Sequence, residues 1–337
     1  MTTLTRRGAM GVLGGAAAMP ILGSPALANT KMTVGALRFT SHAASFVAYE
    51  RGYFKEAGLD VEFKFFQAAQ PMAVAIASRD ADYAVTAISG GLISLAEKGA
   101  AKVIGGALSE EPGIDGQKIL ASNAAFEAGL TSPEMLDGKR FAMTQAGSSF
   151  HYMGSKIAAA EGADMRFVPL QKVGAIIGAM KSGQVDAWSI VPHIAKALAG
   201  GGAVQIIGNV ADYLPDYQVT TVFTSAENAA NERAKTEAFL SAFARGADDF
   251  NAALVDMTAG EDAAEDMVRL IHKYVYTDRP FEKAAPSIRN GAMRINAGAA
   301  LNTTSVRDQL DWFKSENLVK PSITMDTLVD ASYVETM

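Results

Sequence analysis

The stretch TQAGSSFHYMGSK, residues 144–156, places Ser148, Ser149 and His151 within one turn after Gly147. A serine beside a histidine is raw material for nucleophilic catalysis; hydroxyls after a glycine are raw material for an anion site. The catalytic pattern is incomplete. A nucleophile elbow reads G-x-S-x-G, and position 151, where its last glycine would stand, is histidine. A triad also needs a carboxylate to orient the histidine, and the sequence nominates none. There is no G-x-x-x-x-G-K-[ST] phosphate loop. GGLISLAEKG (90–99) is not a clean dinucleotide fingerprint, and no His/Asp/Glu cluster has metal-ligand spacing. The expectation is no catalytic residue, no cofactor and no metal.

The anion reading fits the residues better. Gly147 permits a tight turn, and Ser148 or Ser149 caps a helix whose first N–H groups stay free. The helix dipole contributes about 0.3–1 kcal/mol and each net hydrogen bond about 1 kcal/mol. Micromolar binding needs about 8 kcal/mol, so one such loop is insufficient and a second surface must contribute.

The elements that hold this loop occur twice. An ungapped shift of 104 aligns residues 40–82 with 144–186 and matches ten positions, among them Ser45/Ser149, Gly58/Gly162 and Asp82/Asp186. In the first copy KMTVGALRF reads as a strand, SFVAYERGYFKEAG as a helix and LDVEFKFF as an alternating strand. PMAVAIASRD and ADYAVTAI follow as helix and strand. In the second copy KRFAMT, SSFHYMGSKIAAAEG, MRFVPL, VGAIIGAMKSG and VDAWSI repeat that order, with Phe150, Met153, Ile157 and Ala160 on one helix face. Two β-α-β-α-β units predict two α/β lobes, each with a parallel sheet covered by helices on both faces. KILASN and YQVTTVFTS are placed to cross between lobes, and from about 227 the chain is mostly helical and is expected to pack mainly on lobe one. The expected divisions are 29–118 for lobe one, 119–218 for lobe two, and 219–337 for the return with its C-terminal helices.

Composition narrows the partners. The net charge of -6 and the absence of a long Lys/Arg run argue against nucleic acid. Residues 1–28 read as a cleaved export signal, with Arg6 and Arg7, an apolar Gly-rich run and ALA at 26–28. TRRGAM resembles a twin-arginine signal without the usual bulky apolar residue two positions on. The chain has no cysteine, so disulfides, thiolate metal sites and an N-terminal lipid anchor are excluded.

The segments SHAASFVAYERGYFKEAGLDVEF, AIASRDADYAVTA, LDGKRFAMTQAGSSFHYMGSKIAAAEG and AMKSGQVDAWSIVPH together resemble one family. It is that of the periplasmic substrate-binding proteins of nitrate, taurine and sulfonate importers, a group that includes binders of thiamine-pyrimidine precursors. The resemblance implies a type II-like two-lobed fold with two crossing strands, closing on a small anionic or heteroaromatic ligand. It also implies delivery to an inner-membrane ABC permease by a periplasmic monomer. An enzyme of the same fold, a thiamine-pyrimidine synthase, is the alternative, with a ligand-presenting sensor domain as a third reading. In open α/β sheets ligands sit beyond the carboxyl ends of strands. The loops there are RFTSHA, TAISGG, TQAGSS and IVPH, which nominate Arg38, Thr40, Ser41, His42, Ser89, Thr144, Gly147, Ser148, Ser149, His151, Pro192 and His193. Trp188, on the same strand face as Ile190, joins them if it faces the cleft and is otherwise core. Asp82 and Asp186 read as turn residues, and His272 as structural.

Overall fold

The computed structural model describes residues 30–337. The export-signal reading falls on residues outside them. Among the described residues, ten strands form two five-stranded sheets. β1 (Thr30–Leu37), β2 (Leu59–Phe66), β3 (Tyr83–Thr86), β4 (Lys102–Gly106) and β10 (Thr221–Thr224) build lobe one in the order β2-β1-β3-β10-β4. β5 (Lys118–Ser122), β6 (Arg140–Met143), β7 (Arg166–Pro169), β8 (Ala187–Ile190) and β9 (Val204–Asn209) build lobe two in the order β7-β6-β8-β5-β9. The two orders have the same spatial pattern, which is the three-dimensional form of the sequence repeat.

The repeated residues do repeated work. Gly58 and Gly162 both take left-handed backbone, at φ +77° and +64°, closing their helices where a side chain would be strained. The Asp82 carboxylate accepts the Thr33 N–H at 2.8 Å, and that of Asp186 accepts the Arg140 N–H at 2.7 Å. Each aspartate ties the start of the strand that follows it to the first strand of its β-α-β-α-β unit, β1 for Asp82 and β6 for Asp186, and neither lines either of the cavities described below.

The sheets are not purely parallel. β10 runs antiparallel to both β3 and β4, and β5 antiparallel to both β8 and β9. Each is the strand that has just crossed from the opposite lobe, so it enters its sheet from the reverse direction. At the crossing, residues 107–110 pair with 217–220: Ala107 N–H donates to Thr220 O at 3.0 Å and Glu110 N–H to Tyr217 O at 2.9 Å. The Gln218 side chain braces this seam. Its amide donates to Thr220 O at 2.9 Å, and its oxygen accepts from Asn302 N–H at 2.9 Å and Asn296 Nδ2 at 3.0 Å.

Lobe one is built around Phe46, Phe54, Tyr83, Phe239 and Phe243, all fully buried, with Tyr83 stacked on Phe239 at 4.3 Å. The long helix Arg233–Phe250 supplies the last two and lies against the helix Ala43–Glu50. Two later helices also touch lobe two. Phe281–Arg289 packs on Pro192–Gly200, and Thr303–Ser315 sends Lys156 a partner in Asp308 at 2.7 Å and sets Trp312 against Tyr152. No helix among the described residues is long and apolar enough to cross a membrane.

Candidate functional site

Two adjoining cavities lie where the lobes meet. The inner one, about 60 Å³, has walls from both lobes: Leu37, Phe39, Ser41, His42, Ala68, Thr86 and Ala87 from one, Thr144, Ser148, Ser149, Phe150, Val173 and Ile190 from the other. Gln117, Val219 and Thr220 of the crossing segments close its floor. The outer one, about 270 Å³, opens beside it, and Phe39 and Val173 face both.

On lobe two, Gly147 at φ +71° turns the chain, and Ser148 caps the helix Ser149–Glu161 by accepting the His151 N–H at 3.4 Å. The lobe-one loop is its counterpart. The His42 imidazole is buried, and its Nδ1 accepts the Leu37 N–H at 3.3 Å. Burial pulls its pKa down to about 3, so it stays neutral in the cavity wall.

The lobes touch directly around these cavities. Gly90 N–H donates to Gly147 O at 2.9 Å, and the Phe313 ring lies against both glycines. The Tyr276 hydroxyl donates to His193 O at 3.0 Å, and the Lys196 ammonium to Asn290 O at 2.7 Å. This is the arrangement of a closed cleft.

Of the thirteen residues the sequence nominates, Ser41, His42, Thr144, Ser148 and Ser149 line the inner cavity, and Arg38 and His193 the outer one. The other six line neither. Thr40 is buried with its hydroxyl unpartnered. Ser89 caps the helix Gly90–Glu97 by accepting the Leu92 N–H at 3.2 Å. Gly147 belongs to the lobe-to-lobe contact. His151 turns away from the cavity, between Phe167 at 4.5 Å and Trp312 at 5.1 Å, with Nδ1 accepting the Gly147 N–H. Trp188 is wholly buried against Phe150, two residues deeper in the lobe than the cavity-lining Ile190. Pro192 starts the helix Pro192–Gly200, where its missing N–H costs nothing.

The lining also holds residues that sequence reasoning passed over. Phe39 and Thr86 sit inside loops already singled out. Gln117 carries a buried Nε2 with no hydrogen-bond partner among the described residues. It stands on a crossing segment, and nothing in its neighbourhood marks it. Among the described residues, no formally charged side chain lines the inner cavity.

Residues 39–253, more than half the chain, match the family described as NMT1/THI5 like. The chain belongs to that family. No curated protein sequence matches it. Among solved structures, the alkanesulfonate-binding protein SsuA from Xanthomonas axonopodis pv. citri bound to MOPS superposes with a TM-score of 0.70 at 16% identity, covering 90% of this chain and 99% of that one. The periplasmic aliphatic sulphonate binding protein SsuA from Escherichia coli gives 0.68 at 18%, covering 93% and 94%. The periplasmic nitrate-binding protein NrtA from Synechocystis PCC 6803 gives 0.65 at 15%, covering 88% and 84%. At these identities the likeness is one of fold: this family member has the two-lobed architecture of periplasmic binding proteins.

Proposed function

We propose that this protein is the exported solute-binding component of an ABC-type importer, taking a small polar solute, anionic or heteroaromatic, into the inner cavity. The observation that carries this reading is a cavity walled by both lobes at once, so that occupancy and closure are linked. The fold neighbours that bind sulfonates and nitrate support it. With no cation in the inner wall, recognition falls to the hydroxyls of Ser41, Thr86, Thr144 and Ser149, to Gln117 Nε2, and to the amino end of the helix Ser149–Glu161. The moving bodies are residues 29–118 with 219–337, and 119–218. The mature chain is delivered to the periplasm as a monomer and docks on a permease.

Binding without catalysis is part of the reading. Ser148 is engaged as a helix cap, and the His151 ring accepts from backbone, so neither is disposed toward a substrate. A cysteine-to-serine mutant of DSZB in complex with biphenyl-2-sulfinic acid superposes at a TM-score of 0.56, while this chain has no cysteine at all.

A thermal-shift screen of nitrate, alkanesulfonates, carboxylates and pyrimidines tests the reading. A true solute at a hundred times its Kd adds about 2.7 kcal/mol of stability. Silence across the screen, together with turnover of an ester or phosphate substrate, would overturn it.

A further inference from the structure

The outer cavity carries chemistry that the inner one lacks. Arg38, Lys181 and Arg279 line it, and none of the three is in an ion pair within 4 Å among the described residues. Arg38 stacks on Phe65 at 3.8 Å and donates to Tyr274 O at 3.2 Å; Arg279 lies over Tyr276 at 4.7 Å. Both thus keep donors free while their planes are held. In a chain of net charge -6, three uncompensated cations around one space of about 270 Å³ are conspicuous. Arg38 and Arg279 stand on the lobe-one side and Lys181 on lobe two, so closure gathers like charges that an anion would reconcile.

His193 adds an independent mark. It is 1% exposed, lines the same cavity, and neither ring nitrogen has a hydrogen-bond partner among the described residues. A neutral imidazole always carries one N–H donor, and a buried donor without an acceptor is costly. The remaining wall is apolar, from Ile177, Ile194 and Leu198.

We propose that the outer cavity is a second binding site, separate from the solute cavity, for a small organic anion with an apolar body, and that its occupancy holds the lobes closed. The anion's oxygens pair with Lys181 and Arg279 and accept from His193, while its carbon body lies on the aliphatic wall. Phe39 and Val173 line both cavities, so a ligand in each favours the same closed state and the two favour one another's binding.

The test uses the whole exported chain with benzenesulfonate as probe and neutral benzenesulfonamide as control, followed by calorimetry and small-angle scattering. Benzenesulfonate is expected to bind, to lower the radius of gyration, and to weaken at high salt; the sulfonamide is not. Each cation removed costs roughly tenfold in affinity, so the K181Q/R279Q protein, both changes being at exposed side chains, binds about a hundredfold more weakly. Failure of benzenesulfonate to bind the unaltered protein, or equal binding by K181Q/R279Q, overturns the proposal. Loss of binding on Thr144→Val but not in K181Q/R279Q would place the probe in the inner cavity, which refutes this site and leaves the solute-binding reading standing.

Discussion

Replacing Glu110 by glutamine should stabilise the protein above neutral pH. Glu110 lies on the first crossing segment, 3% exposed. One carboxylate oxygen accepts the Gln117 N–H at 3.0 Å, and the other has no partner. Burial pushes its pKa up to about 7, against the pull of the Gln117 N–H, of the Gln117 side-chain amide and of the Lys118 charge. The change from an ordinary 4.5 to about 7 is worth about 3 kcal/mol, at roughly 1.36 kcal/mol for each tenfold change in proton affinity. The sign follows from proton counting. Between pH 4.5 and 7 the folded chain holds a proton that the unfolded chain has released, so stability falls as pH rises through that window and then levels off. Glu110→Gln keeps an oxygen for the Gln117 N–H and removes the charge. Urea unfolding of both proteins below pH 4.5 and above pH 7 measures the difference. The variant should gain about 3 kcal/mol on the unaltered protein between the two conditions. A difference between the proteins that is independent of pH would refute the reasoning, because it would mean that the carboxyl is ionised in the fold at no cost.

Three further expectations follow from buried groups and backbone. His42 and His193 have pKa values pulled down to about 3 by burial, with His42 adding to the effect at His193. Both therefore lose stability as pH falls below 6.5, by about 1.4 kcal/mol per unit each; His193→Gln should flatten that acid limb in a pH series of unfolding curves. Trp188→Ala should cost about 3–5 kcal/mol in chemical denaturation, since the indole is wholly buried. Gly147→Ala forces a side chain into left-handed backbone at φ +71°, beside Phe313 at 3.4 Å. A loss of about 1 kcal/mol or more is expected in unfolding curves, with weaker solute binding by calorimetry because the Gly90–Gly147 contact belongs to the closed form.

The repeat was readable because each unit needs the same residue types at the same places. Gly58 and Gly162 close helices by local backbone geometry, while Asp82 and Asp186 make the same strand-to-strand tie across nearly fifty residues of their own unit, so both pairs recur with the unit. The direction of β5 and β10 was not readable, since it depends on which lobe the chain is arriving from. Trp188 was ambiguous for another reason. All four residues of β8 are buried, as are those of β3 and β10, so no alternation distinguishes a face toward the cavity from a face toward the core. Gln117 reaches the cavity only because two segments a hundred residues apart cross beneath it, and the lobe-two contacts of the C-terminal helices are equally long-range.

The most direct test is the structure of the protein with whichever solute gives the largest thermal shift, paired with scattering before and after its addition. The account predicts the solute in the inner cavity, touched from one lobe by Ser41 or Thr86 and from the other by Thr144 or Ser149, with a smaller radius of gyration on binding. A solute seated on one lobe alone, or one found chemically altered in the cavity, would contradict it.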